Sequence, residues 1–172
     1  PDAASAGRRA LRNATLTLLT SRARPEDAIR LEQHYAFATN MTDSAHALAL
    51  LAGLDSPARK RALATFFDRW HGDHLVIDMW FAVQAQSPLS STLDAVRELT
   101  THPLFKWSTP NKVRALIGSF AMSNPLQFNR MDGAGYEFVA AKVLEVDKLN
   151  PQIASRLLGA FLAIKLAVAP GV

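Results

Sequence analysis

The sequence predicts an all-α protein, built as an α-solenoid of antiparallel helix pairs of the armadillo or HEAT type with about nine helices. Apolar residues recur at helical spacing along the chain, and no segment alternates with a period of two. Connections are short. Prolines at helix starts lie 41 residues apart (Pro110, Pro151) and 32 apart (Pro25, Pro57), within the range of paired-helix repeats. A closed helical bundle is the alternative architecture.

The first three helices are predicted from their apolar residues and, for the second and third, from acidic residues at their starts. Residues 7–20 carry Leu11, Leu16, Leu18 and Leu19. Residues 25–37 open on a proline followed by Glu26 and Asp27, which the helix dipole favours at this end. Residues 42–53 form an Ala- and Leu-rich third helix that ends near a glycine.

The next three helices are read from caps and apolar runs. Ser56-Pro57 starts the fourth, whose large apolar residues are expected to face inward: Leu63, Phe66, Phe67 and Trp70. Residues 75–83 are apolar apart from Asp78, which predicts a buried fifth helix. Residues 92–100 form the sixth.

The seventh helix, residues 110–122, carries the first candidate site residue. Pro110 suits the first helical position, and Thr109 can cap it. The apolar stripe consists of Val113, Leu116, Ile117 and Phe120. Arg114 lies roughly 110° from the stripe centre, at about 100° per residue. Its neighbours on that flank, Gly118 and Ala121, are too small to cover it.

Two further candidates lie on the ninth helix. The eighth helix covers residues 135–149, and Asn150 then caps a helix that begins at Pro151. Gln152 and Arg156 are four residues apart and share a face. That face flanks an apolar stripe of Ile153, Leu157, Ala160, Phe161 and Ile164. Gln152 and Arg156 could contact a carboxylate or a peptide. The alternative, which also applies to Arg114, is that these side chains are solvated at the surface.

Composition limits the partners and the chemistry. The chain has 172 residues, 49% hydrophobic, enough for one domain with a core. Its 19 basic and 15 acidic residues give a net charge of +4, with no basic run longer than Arg59-Lys60-Arg61. Such scattered charge argues against a nucleic-acid partner. The absence of cysteine excludes disulfides, thiolate catalysis and Cys-ligated zinc.

The sequence also predicts a soluble, cytoplasmic protein with no membrane partner. Nothing at the N-terminus resembles a signal peptide. The most apolar segment, residues 157–168, is interrupted by Lys165 and is too short to span a bilayer.

No catalytic or metal motif stands out. His71-Gly72-Asp73-His74 could offer zinc ligands, but a loop with a capping Asp73 is the better interpretation. Asp132-Gly133-Ala134-Gly135 lacks the preceding strand and the Lys-Ser/Thr of a phosphate loop, so a tight turn is expected. The isolated His34, His46 and His102 are interpreted as structural.

Several segments in one order resemble a known family. They are Asn40–Leu48, Phe67-Asp-Arg-Trp70, Leu75–Phe81, Pro110–Phe120, Asn124-Pro125, Asp132–Tyr136 and Asn150–Arg156. Together, from about residue 7 to about residue 158, they resemble the C-terminal helical domain of bacterial aminopeptidase N (alanyl aminopeptidase), a zinc metallopeptidase family of the gluzincin type.

The resemblance implies a role without a catalytic centre in this chain. Residues 1–172 would form one helical-repeat domain of a larger aminopeptidase that removes N-terminal residues from peptides. Zinc would be held in a separate catalytic domain, which this domain closes over, enclosing the substrate cavity. Residues matching Arg114, Gln152 and Arg156 would line that cavity and contact the distal part of the peptide. A helical-repeat scaffold that binds a protein or peptide, with no enzymatic role, is the alternative.

The sequence departs from the family pattern at three places. Asn129 stands where the family usually has His, and Ala134 where it usually has Ser. Residues 162–172 do not resemble the family's charged final helices. We therefore expect either a fragment of the longer chain or an atypical end.

Overall fold

The computed structural model describes residues 2–162, which are helical with short connections and contain no strand. Contacts divide the chain into two compact units, Pro1–Val83 and Gln84–Val172. The first five helices are α1 (Ala3–Leu19), α2 (Pro25–Phe37), α3 (Met41–Ala52), α4 (Pro57–Trp70) and α5 (His74–Ala85). They are followed by α6 (Thr92–Leu99), α7 (Pro110–Val113), a π-helical segment (Arg114–Gly118), α8 (Ser119–Ser123), α9 (Pro125–Phe128), α10 (Ala134–Asp147) and α11 (Pro151–Leu162).

The first unit is organised around α3. Helices α1 and α2 both pack on α3, and α2 and α3 also pack on α4. Side-chain oxygens cap the helix starts: Asp2 accepts the Ser5 N–H, Asn40 the Asp43 N–H and Ser56 the Arg59 N–H. The fully buried core includes Leu31, Leu48, Leu51, Phe66, Ile77 and Phe81.

The second unit is organised around the π-helical segment and the α10–α11 pair. Helix α11 packs on α10, on α8 and on the π-helical segment, and α6 packs on the same segment. Phe120 is fully buried and makes edge-on contacts with Phe128 and Phe138. These contacts fix the position of α11 relative to residues 110–123.

The predicted all-α class is confirmed, and most predicted helices lie within one or two residues of their expected bounds. Helix α1 starts four residues early because Asp2 caps it. Residues 110–122 form three successive helical segments, and the four-residue α9 was not predicted. No described helix is long and apolar enough to cross a membrane.

Three local expectations need correction. Thr109 occupies the N-cap position of α7, but its side chain makes no capping hydrogen bond. In α4, Phe67 and Trp70 are half-buried rather than inward. In α5, Leu75 is exposed, so this helix is not buried all round. Ile164 and the rest of the atypical tail beyond Leu162 lie outside the described residues.

Candidate functional site

A cavity of about 480 Å³ lies in the second unit, between residues 110–123 and α11. Two of the three candidate residues, Arg114 and Arg156, contribute to its wall. The full lining is Pro110, Arg114, Gly118, Ser119, Met122, Ser123, Ile153, Arg156 and Leu157. Two guanidinium groups from separate helical segments therefore share one cavity.

The predicted apolar stripe explains how Arg114 comes to lie there. Val113, Leu116, Ile117 and Phe120 are all fully buried, as predicted. With the stripe held in the core, Arg114 is exposed on the flank. Gly118, one turn on, is buried between Arg114 and α11: a Cβ there would lie in van der Waals contact, 3.8 Å from the Arg114 Cβ and 4.0 Å from a Leu157 methyl carbon.

Arg114 also begins the π-helical segment, Arg114–Gly118. A π-helix closes its hydrogen bonds over five residues rather than four, and single π turns within α-helices are found frequently at functional sites. The five π-helical residues include both Arg114 and Gly118, so the irregular turn forms one side of the cavity.

The cavity is electropositive. Its lining contains two arginines and no Asp or Glu. The Arg114 guanidinium donates to the Asn111 Oδ1, and no ion pair involves Arg114 or Arg156 in the described part of the chain. Most of their N–H donors are therefore available to a carbonyl or carboxylate oxygen.

The third candidate, Gln152, lies beside this site rather than in it. It is exposed in the first turn of α11, and the predicted capping by Asn150 is confirmed, because the Asn150 Oδ1 accepts the N–H groups of Gln152 and Ile153. The Gln152 side chain is not part of the cavity lining. Its predicted contact with a peptide stays a prediction.

Three lining residues of α8 were not predicted from the sequence. Ser119, Met122 and Ser123 follow the π-helical segment and complete the wall opposite α11. Their spacing of three and four residues shows one shared face. That signal was present in the sequence, but the face could not be assigned to a cavity without knowing where α11 packs.

The His71–His74 segment is a loop in which Asp73 caps the next helix, as predicted. The Asp73 Oδ1 accepts the N–H groups of Leu75 and Val76 at the start of α5. The described residues hold no group of three or more His, Asp or Glu side chains placed to bind a metal ion. The zinc that the resemblance implies has no fitting ligand set in this range.

Two of the three isolated histidines make hydrogen bonds within the described residues. The His46 Nε2 lies 3.0 Å from the Asn13 carbonyl oxygen and 2.9 Å from the Thr17 hydroxyl. The His102 Nδ1 accepts the Leu104 N–H. The structural interpretation of these two histidines is consistent with those contacts.

The Asp132–Gly135 segment is a tight turn before α10, as predicted. Gly133 adopts φ +73°, and the Asp132 Oδ1 accepts the Ala134 N–H. The Arg130 guanidinium, 2.8 Å away, lowers the pKa of Asp132. Tyr136 donates its hydroxyl hydrogen to the Asn129 Oδ1. These bonds hold the turn in place, and the turn lacks the preceding strand of a phosphate-binding loop.

Comparison with known proteins identifies a helical-repeat family. Residues 1–167 match the family described as a domain of unknown function (DUF3458_C) with ARM repeats. This match confirms the armadillo-like fold class predicted from helix spacing.

The curated relatives are bacterial aminopeptidases. The chain is 44% identical over 156 residues to aminopeptidase N of Caulobacter vibrioides. The match covers 91% of this chain and 18% of the Caulobacter protein. It is 38% identical over 158 residues to aminopeptidase N of Escherichia coli; the match covers 92% of this chain and 18% of the Escherichia coli protein. The chain thus spans less than a fifth of the length of these relatives.

A solved structure shares the fold. The crystal structure of Legionella pneumophila aminopeptidase A in complex with aspartic acid superposes with a TM-score of 0.86 at 32% identity. The superposition covers 93% of this chain and 19% of the Legionella chain.

Proposed function

Because this chain belongs to the DUF3458_C family of ARM-repeat domains, the family that forms the C-terminal region of aminopeptidase N, we propose that it limits and assists substrate access in a zinc aminopeptidase. It closes over the catalytic domain of the same polypeptide and helps to enclose the substrate. The cavity between residues 110–123 and α11 contacts the peptide beyond its first residues.

The observation that carries this proposal is the pair of arginines on one cavity. Arg114 and Arg156 face a space without acidic residues, and a peptide offers them carbonyl oxygens and a C-terminal carboxylate. A charge-assisted hydrogen bond contributes about 1.5–3 kcal/mol. The rest of the wall, including Met122, Ile153 and Leu157, can pack against apolar side chains of the peptide.

The proposed chemistry is confinement and electrostatic contact. In the parent enzyme a zinc ion held by the separate catalytic domain would supply an activated water molecule for peptide-bond hydrolysis. This domain adds positive charge along the path of the peptide, which lowers KM for substrates long enough to reach it. Gln152, exposed beside Arg156 on α11, extends the same face.

Replacing Arg114 in the complete enzyme tests the proposal. Arg114→Ala should raise KM for tri- and tetrapeptides about tenfold, the equivalent of one charge-assisted hydrogen bond. Single-residue arylamides, which do not reach the cavity, should keep their KM. Lys106→Ala is the matched control, since Lys106 is an exposed cation outside the cavity. Equal losses on long and short substrates would contradict the assignment.

We further propose that the parent enzyme works in the bacterial cytoplasm. We also propose that its zinc is bound entirely by the separate catalytic domain. The purified 172-residue chain should then contain no stoichiometric zinc and should cleave no peptide, because the described residues offer no ligand set. Elemental analysis by mass spectrometry measures the zinc content. One zinc ion per chain would overturn this assignment.

A further inference from the structure

The turn between α9 and α10 contains the one Asp-Gly bond of the sequence, Asp132–Gly133. The Asp132 side chain is 52% exposed, and nothing lies within 4 Å of a Cβ built on Gly133. Because glycine has no side chain, its backbone nitrogen can approach the preceding aspartate side chain without steric hindrance. An Asp-Gly bond is therefore the kind of peptide bond most prone to rearrange through the aspartate carboxyl group.

The rearrangement consists of two balanced steps. The Gly133 nitrogen attacks the Cγ of Asp132 in its neutral acid form, so that the N–Cγ bond forms, the Cγ–OH bond breaks, and one water molecule leaves with the amide hydrogen. A water molecule then opens the resulting five-membered succinimide ring. When it cleaves the bond between the nitrogen and the original main-chain carbonyl carbon, the product is isoaspartate. Its main chain runs through the side-chain carbons, and its mass is unchanged.

The Arg130 side chain holds the Asp132 carboxylate in the unreactive, ionised form. Its Nη2 donates to the Oδ2 at 2.8 Å, and its Nε lies 3.2 Å from both carboxylate oxygens. The Ala134 N–H donates to the Oδ1 at 3.1 Å. The hydrogen bond from Arg130 is the main reason that the pKa of Asp132 is lowered, which reduces the amount of neutral acid. Asp94 of α6 is an acidic group that faces Arg130 in turn.

The attacking nitrogen is restrained by the same residue. The Gly133 N–H donates to the Arg130 carbonyl oxygen at 3.0 Å. The Arg130 Nη1 also donates to the Ser90 carbonyl oxygen at 3.0 Å, which connects the turn to the segment before α6. To close the ring, the carboxyl group must leave its donors and turn towards the Gly133 nitrogen. Arg130 therefore opposes ring closure through both its side chain and its backbone.

We propose that Asp132–Gly133 is a site of spontaneous isoaspartate formation, and that the Arg130 side chain restrains this modification. The product is the chemical group that protein isoaspartyl methyltransferases methylate. The proposal goes beyond the role proposed for Arg114 and Arg156 and does not depend on it.

The position of the turn gives the modification a structural consequence. Gly135 follows two residues later, where an added Cβ would lie 2.3 Å from the Phe128 carbonyl oxygen. Isoaspartate adds one atom to the main chain immediately before this close approach, so the start of α10 must shift against α9. Helix α10 packs on α11, which carries Arg156 and Leu157 of the candidate site. Isomerisation should therefore loosen one wall of that site.

The rate of isoaspartate formation in the folded, complete enzyme tests the proposal. Wild type, Arg130→Gln and Arg22→Gln are incubated at mildly acidic pH and then digested with a protease that does not cut at arginine. Chromatography with electron-transfer fragmentation separates isoaspartate from aspartate at position 132, and methylation of the peptide by an isoaspartyl methyltransferase confirms it. Arg22→Gln is the matched control, since it removes the same charge from an exposed position between α1 and α2.

Arg130→Gln should raise the rate at position 132 at least about threefold, because an adjacent positive charge lowers a carboxyl pKa even where exposure weakens the effect. Arg22→Gln should leave that rate unchanged. Asp55–Ser56, whose aspartate is exposed, is the internal reference within each protein. Its rate should be the same in all variants, which shows that they remain folded. Equal rates at position 132 in wild type and Arg130→Gln would overturn the proposal. So would equal acceleration at positions 132 and 55, which would indicate general unfolding.

A second variant separates the charge of Arg130 from its paired donors. Arg130→Lys keeps the positive charge but presents no planar pair of N–H groups to the carboxylate. Its rate at position 132 should lie between those of wild type and Arg130→Gln. A rate above that of Arg130→Gln would contradict the restraint assigned to the positive charge.

Discussion

Glycine at a single position permits a close approach between two helices of the second unit. Gly135, at the start of α10, lies so near the end of α9 that an added Cβ would be 2.3 Å from the Phe128 carbonyl oxygen. Backbone oxygens cannot move aside as the end of a side chain can. Gly159 in α11 has nothing within 4 Å of an added Cβ.

These two glycines make a matched pair of substitutions. Gly135→Ala should lower the free energy of unfolding by about 3 kcal/mol, because the backbone must shift to accept the methyl group. Gly159→Ala should leave it unchanged or raise it by up to about 1 kcal/mol, through better helix propensity. Urea denaturation measures both. A Gly135→Ala variant as stable as the wild type would show that the approach is not as close as described.

For the two arginines, the position on each helix was predictable from the sequence, but the shared cavity was not. The position of Arg114 beside its stripe, and of Arg156 beside Leu157, follows from helical spacing alone. That both face one cavity depends on how α11 packs against residues 110–123, which spacing within either helix does not determine. Gln152 shares a face with Arg156 but lies one turn nearer the helix start, outside the lining.

At the scale of elements, Asn124 connects the site helices to the rest of the second unit. Its Nδ2 donates to the carbonyl oxygens of Ala85 and Ser87, and its Oδ1 accepts the Gln127 N–H at the start of α9. The side chain is almost completely buried. Asn150 caps α11 with its Oδ1 alone and is more exposed.

The same substitution at both positions separates these roles. Asn124→Asp keeps the cap but loses both donated bonds and buries a charge against two carbonyl oxygens, so the free energy of unfolding should fall by about 3 kcal/mol or more. Asn150→Asp keeps its cap and places a negative charge at a helix N-terminus, so it should change the stability by less than about 0.5 kcal/mol. Thermal and urea unfolding measure both. Equal losses would contradict the contacts described for Asn124.

Element boundaries were predictable where caps mark them and not where the helix type changes. Asn150, Ser56 and Pro25 identify helix starts within a residue. The π-helical segment was not predicted, because its buried residues, Leu116 and Ile117, also fit an ordinary α-helical stripe. Helix α9 is too short to show a period of its own.

At the scale of the whole molecule, the chain combines two cationic features on an all-α framework. The second unit presents Arg114 and Arg156 to a cavity without acids, and the first unit presents Arg12 and Arg30 to a cavity lined by residues of α1 and α2. A net charge of +4 does not predict this arrangement, since charges scattered along a sequence gather only after helices pack. The first pair is proposed to contact a peptide, and the second pair is bonded to Asp43 and Asp27 within the first unit.

The central claim is that the cavity recognises the distal part of a peptide. The most direct test measures kcat/KM in the complete enzyme for a tetrapeptide and a single-residue arylamide, with wild type, Arg114→Ala, Arg156→Ala and the double variant. We predict that the tetrapeptide-to-arylamide ratio falls about tenfold in each single variant. In the double variant it should fall further, but by less than the product of the two, because both arginines serve one cavity. A ratio that stays constant across all four proteins would contradict the account.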